Sequence, residues 1–385
     1  MEREDEVREI KKLNDELDTR IVADKMTMVE EMNKMNDMIE KLQAENNMLK
    51  QQSSQRISDD TVDIDLSQLR ASQGGESRFG GLGSTVPKRC LHFVKAHVVE
   101  CNDICYDSGS SSSEFCATAS SDSTVKVFDV SSGRLSKTLR GSGQPIMGVD
   151  MFGDFICGAS VDKICRVWNM KTERCIHQLT GHGHKVTCCK FVGKGKNVLT
   201  GSADRSLKLW DINRSTFSIM KTMRHGSIVN CLSAFNNSGV SGHVDGGIRF
   251  YDLSSGERTA EMNNLHEGQI TAVQFNPANP NQVLTNSRDN KLKISDMRMN
   301  ETVAVLSHGS YKTAFNWSGA SFSPDGRFVA AGGSTGELFV WNVDTQECEK
   351  LTGGHKNSLA GVAWGGNPNQ QVATADRDGV CVLWA

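Results

Sequence analysis

Apolar and polar positions alternate in short runs through residues 87–385, and the runs close seven times on one pattern. A small polar residue and an Asp are followed by two variable residues and then by alternating apolar residues that end in an aromatic and an acid. The best-kept copy is Thr200-Gly-Ser-Ala-Asp204-Arg-Ser-Leu-Lys-Leu-Trp210-Asp211. The others end at Phe128-Asp129, Trp168-Asn169, Tyr251-Asp252, Ser295-Asp296, Trp341-Asn342 and Trp384-Ala385, at spacings of 40 to 46 residues. Within one unit, Val186 to Phe191, Val198 to Ser202 and Leu207 to Trp210 read as successive strands. A unit of this length cannot bury its own faces, so the copies must stack radially, and an all-β, seven-bladed β-propeller is predicted.

The period and the closing signature are those of WD40 repeats. The Asp falls in the tight turn between the second and third strands, where a short carboxylate accepts from backbone amides. In the third copy His182 can donate to Asp204, with a strand hydroxyl, Ser202 or Thr200, and the Trp210 indole completing a buried polar network. His, Ser and Asp together also suggest a hydrolase triad, but the set recurs with the blade period, which assigns it to the scaffold. No H-E-x-x-H, P-loop or dinucleotide fingerprint occurs, so no catalytic, cofactor or metal residue is expected.

The copies decay unevenly. Opening histidines stand at His97, His182, His225, His266, His308 and His355, whereas the blade ending at Trp168 opens with Gly141-Ser-Gly-Gln-Pro145. The blade ending at Trp341 carries Thr335 at the turn position, and the fifth carries Ser295 instead of an aromatic. Those three blades are expected to rest on packing rather than on a polar network. The chain stops at the third strand of its last blade, and residues 88–95, which alternate like an outer strand, are expected to complete it and remove two exposed sheet edges.

Residues 1–52 are a different material. They hold no Gly or Pro and place Met28, Met32, Met35, Ile39, Leu42 and Leu49 in steps of three and four, the seam of an α-helical coiled coil that would pair the chain with itself as a homodimer. Residues 53–86 are Ser- and Gly-rich and read as a disordered tether. At its centre Asp59, Asp60, Val62 and Ile64 alternate acid with aliphatic, a segment able to add as a strand to a partner's sheet edge. Net charge is −5 over residues 1–52, −2 over 53–86 and +4 over the rest, which gives nucleic acid no strongly basic face to bind. Twelve scattered cysteines without a signal peptide read as reduced thiols in a cytoplasmic protein. Neither Cys188-Cys189 nor Cys101-x-x-x-Cys105 makes a zinc site, and no run of apolar residues is long enough to span a membrane.

Asn197-Val-Leu-Thr-Gly-Ser-Ala-Asp-Arg-Ser-Leu-Lys-Leu-Trp-Asp211, Ser241-Gly-His-Val-Asp-Gly-Gly-Ile-Arg-Phe-Tyr-Asp252 and Ser287-Arg-Asp-Asn-Lys-Leu-Lys-Ile-Ser-Asp296 together resemble blades of the autophagy-related protein 16 family, in its animal form with WD repeats. The irregularities carry the likeness: Ser295 before Asp296, Ser241-Gly-His243 before its turn, and Phe315-Asn-Trp317 ahead of the sixth blade. The resemblance implies a non-catalytic scaffold that dimerises, holds the conjugate of autophagy-related proteins 12 and 5, and directs lipidation of a ubiquitin-like protein onto phosphatidylethanolamine at the autophagosome membrane. It further implies that the acidic tether meets the initiating-kinase scaffold and a phosphoinositide-reading propeller, that the chain's own propeller reads receptor tails, and that recruitment to membranes is peripheral. The chain starts at Glu2-Arg-Glu-Asp-Glu-Val7, inside what matches the last part of the family's coiled coil, which leaves conjugate binding open. Gly246-Gly247 stands where lysines are expected in relatives. The alternative is a generic coiled-coil WD adaptor, of the G-protein β or ubiquitin-ligase receptor kind, hinted at by Asp296-Met-Arg298. On the propeller, Arg205, Arg288 and Arg377 flank the turn Asp and are expected to ring one face for an acidic peptide.

Overall fold

The computed structural model describes residues 84–109, 114–213, 216–366 and 372–385; the coiled-coil seam and the acidic segment of the tether lie outside them. Its strands assort into seven four-stranded antiparallel sheets, each one blade. Blades 1 to 6 run over residues 101–139, 146–180, 186–224, 229–262, 270–306 and 320–351, in simple up-and-down order. Blade 7 takes its three inner strands from Leu359–Trp364, Val372–Asp376 and Val380–Trp384, and its outer strand from Cys90–Lys95. The register sets Cys90 opposite Trp384 and Lys95 opposite Val380. Ahead of that strand, the amides of Lys88 and Arg89 both donate to the Ala385 carbonyl, at 2.7 and 2.8 Å.

The alternation seen in the sequence fills the spaces between blades. Trp168, Trp210, Trp341 and Trp384, the aromatics that close four of the copies, are fully buried. Small residues are required where blades meet: a Cβ on Gly201 would lie 2.6 Å from both Cys188 Sγ and a Val229 methyl on the next blade.

Polar stitches join neighbouring blades around the central channel. Asn102 Nδ2 donates to the Ile146 carbonyl at 2.8 Å, Thr187 Oγ1 to Val229 at 2.8 Å, Asn230 Nδ2 to Ile270 at 2.9 Å and Thr271 Oγ1 to Ser318 at 2.9 Å. Further along the strands, Asp103, Asp150, Ser233, Gln274 and Ser321 accept from the amides of Val149, Phe191, Phe275, Phe322 and Trp364 of the following blade. Each bond contributes about 1 kcal/mol net, and each links segments some 40 residues apart in sequence, so the ring coheres as a unit.

Candidate functional site

Two features of the propeller bear on function: the polar networks under the turns, and the face those turns build. In blade 3 the Trp210 indole N–H donates to Thr200 Oγ1 at 2.8 Å, Thr200 lies 2.8 Å from His182 Nε2, and His182 Nδ1 lies 2.8 Å from Asp204 Oδ2. A carboxylate only accepts, so Nδ1 carries the proton and the threonine hydroxyl donates to Nε2. Burial lowers the His182 pKa and keeps the ring neutral. Burial pushes Asp204 upward, but hydrogen bonds from Ser206, His182 and the Gly183 amide outweigh it and bring the carboxyl down to about 2.

The strand hydroxyl of this network is Thr200. Ser202 does not join it: at the strand's end its Oγ donates to the Lys185 carbonyl at 2.9 Å and accepts from the Asp204 amide at 3.0 Å, so it braces the turn from behind.

The same geometry recurs in alternate blades. His97 joins Asp122 and Thr118 in blade 1, His266 joins Asp289 and Thr285 in blade 5, and His355 joins Asp376 and Thr374 in blade 7, all at 2.7 to 2.8 Å. Blades 2, 4 and 6 replace it. Asp162 pairs with Arg166 at 2.7 Å in blade 2, and Asp245 with Arg249 at 2.7 Å in blade 4. In blade 6 Glu337 binds the Thr335 hydroxyl and Lys350. Two expectations are thereby corrected. Blade 5 keeps its network despite Ser295, because His266, Thr285 and Asp289 close it without the aromatic. Blade 4 has its opening histidine, yet His225 bonds the Tyr251 hydroxyl at 3.0 Å instead of an Asp, since Arg249 has drawn Asp245 away. A hydrolytic reading fails on access, because Thr118, Thr200, Thr285 and Thr374 are wholly buried.

Blade 4 holds a second unusual feature. His243 stands at the strand position occupied by Ser202 in blade 3, and its ring meets that of His225 edge-on at 5.0 Å. One ring nitrogen of each, His225 Nε2 and His243 Nδ1, is buried without a protein hydrogen-bond partner. Burial, with the Arg249 charge nearby, lowers His225 to about 4 and His243 to about 3.

The three arginines expected to ring one face are not equivalent. Arg288 donates to the Thr313 carbonyl. Arg377 lies 3.8 Å from Glu100 and 6.0 Å from the centre of the Phe315 ring. Arg205 is exposed and holds a positive φ of 65°. The family-like Phe315 and Trp317 stack at 5.2 Å in the loop that leads to blade 6, and Asn230 of blade 4 reaches that loop by donating to the Asn316 carbonyl at 2.8 Å.

Trp317 also lines a channel cavity of about 490 Å³, which sequence reasoning did not anticipate. Asp103, Asp150 and Lys190 face one another there; Lys190 Nζ lies 2.6 Å from Asp150, and burial pushes Asp103 up to about 6. In Gly246 the turn of blade 4 has φ of +78°, and a Cβ would fall 2.3 Å from the His266 carbonyl oxygen, so the local backbone itself requires glycine there.

These features define a WD-repeat propeller whose His–Asp–Thr networks are structural. The WD domain, G-beta repeat family matches residues 88–129, 133–169, 173–211 and 303–342. Protein tipD of Dictyostelium discoideum is 39% identical over 70% of this chain and 44% of its own length. Autophagy-related protein 16 of Arabidopsis thaliana is 30% identical over 95% of this chain and 70% of its own length, and autophagic-related protein 16.2 of Caenorhabditis elegans is 29% identical over 86% and 63%. The chain belongs to the autophagy-related protein 16 family, and it spans from under half to about two thirds of the length of these relatives.

Proposed function

We propose that the chain is a non-catalytic scaffold of autophagy. In this reading it dimerises through residues 1–52, holds the conjugate of autophagy-related proteins 12 and 5, and so directs lipidation of a ubiquitin-like protein onto phosphatidylethanolamine. It acts from the cytoplasm, recruited peripherally to forming autophagosomes, with the tether and the propeller supplying contacts to kinase scaffold, phosphoinositide reader and receptor tails. The observation that carries the reading is the match to the Arabidopsis protein over 95% of this chain, a span the propeller alone cannot account for. The geometry is consistent with it: Ser84 enters the domain bonded to Asp325 at 2.6 Å, in the loop between the first two strands of blade 6, at the end of the ring opposite the Asp turns. Asp296-Met-Arg298, the hint of a ligase receptor, is paired internally at 2.9 Å.

The test is complementation. In cells lacking the native protein, the full chain should restore the lipidated ubiquitin-like protein on membranes, and residues 84–385 alone should not. Failure of the full chain, together with its capture of G-protein γ chains or ligase adaptors, would reverse the conclusion.

A further inference from the structure

Each turn between second and third strands holds a residue of positive φ ahead of its third strand: Ser123, Lys163, Arg205, Gly246, Asn290, Gly336 and Gly379. Glycine and asparagine tolerate this conformation; a long side chain there costs about 1 to 2 kcal/mol. Blades 2 and 3 nevertheless place Lys163 at φ 70° and Arg205 at φ 65°, both exposed. A strained position that keeps a long cation on the surface points to use of the side chain, since glycine would suit the fold better.

The surroundings are of one sign. The loops 140–145, 161–163, 181–185 and 203–205 also present exposed Arg140 and His184 and half-buried Lys185. Their only carboxylates, Asp162 and Asp204, are held by Arg166 and His182. By contrast the loops of blades 5, 6, 7 and 1 carry Glu267, Glu337, Asp378 and Glu100 among their cations. Gly141 and Gly143 have open space beside them, so the backbone of this rim is accessible to an extended chain. None of the exposed large apolar side chains among the described residues lies in these four loops, so nothing there would insert into a bilayer.

We propose that the turn face of blades 2 and 3 docks an acidic peptide segment of a partner protein, with Lys163 and Arg205 as its anchors. The proposal rests on the reading of the propeller as a docking platform and names the chemistry of the docked partner. Charge pairing at such a rim steers encounter and weakens with salt.

The experiment measures binding of hexaglutamate peptide to the full chain at low and high salt, beside flotation with phosphatidylcholine vesicles containing phosphatidylserine. The double variant Lys163→Gly with Arg205→Gly should lose about tenfold or more in peptide affinity while its Tm stays level or rises, because glycine relieves the strained turns. The variant Lys312→Gln with Lys356→Gln, which removes as much charge from blades 6 and 7, should bind as the native chain does. Equal loss in both variants, unchanged binding in the first, or a fall in its Tm overturns the proposal. So does a loss of vesicle binding alone, which would assign the face to membranes. None of these outcomes depends on lipidation, so the complementation result stands or falls separately.

Discussion

Cys90 lies directly opposite Trp384 in blade 7, so a strand from the start of the domain covers the strand that ends it. Five register pairs hold the two together. At about 1 kcal/mol for each hydrogen bond, the closure is worth on the order of 5 kcal/mol, a large share of a domain's stability. Removal of residues 1–95 should therefore yield an insoluble or partly unfolded chain, whereas removal of residues 1–83 should leave cooperative thermal unfolding intact. A well-folded product from the longer deletion would show that the ring closes without its outer strand.

The network hydroxyl can be identified by substitution. Thr200→Val strands the Trp210 indole and His182 Nε2 in a dry site and should cost about 2 to 4 kcal/mol. Ser202→Ala removes a brace from the turn and should cost about 1 kcal/mol. Chemical denaturation of the two variants checks the order, and a larger loss in Ser202→Ala would reverse the assignment.

What was legible beforehand follows from what a one-dimensional pattern can encode. The blade count was legible because the distance from Asp204 to Trp210 is fixed by one turn and one strand, and that distance recurs. Ring closure was legible because the alternation ahead of Lys95 had no other sheet to join. The alternating loss of the network was only half legible. Its signal, an arginine four residues after the Asp at Arg166 and Arg249 where blade 3 has Lys208, gains meaning only when the side chain is seen to fold back. Thr200 and Ser202 share one face of a strand, so spacing alone could not choose between them. The channel charges Asp103, Asp150 and Lys190 converge from three blades, and the positive φ of Lys163 and Arg205 is a backbone property that composition does not reveal.

The turn of blade 4 is a second backbone test. Gly246→Lys would meet both a positive φ and the His266 carbonyl at 2.3 Å. It should destabilise the domain by roughly 2 kcal/mol or more, while Gly247→Lys, whose backbone lies outside the positive-φ region, should cost less. Thermal unfolding of the pair checks this, and equal effects would mean that the turn re-forms around a side chain at either place.

The histidine pair of blade 4 sets a pH dependence whose sign can be worked out. With His225 lowered to about 4 and His243 to about 3, the unfolded chain takes up protons below pH 6.5 that the folded chain refuses. Stability is therefore lost as pH falls from about 6.5 toward 4, by at most about 1.4 kcal/mol per pH unit for each ring. Asp103 acts in the opposite sense: raised to about 6, it makes the folded chain bind the extra proton between its unfolded value and pH 6, which offsets part of one histidine's effect. The facing charges of Arg249 and Arg258 oppose protonation of His225, and those of Asp204 and Asp245 favour it. The Tm of the native chain should fall between pH 6.5 and 5, and His225→Gln with His243→Gln should flatten that slope whatever its effect on stability at pH 7.5. A slope unchanged by the double substitution would place the acid sensitivity elsewhere in the ring.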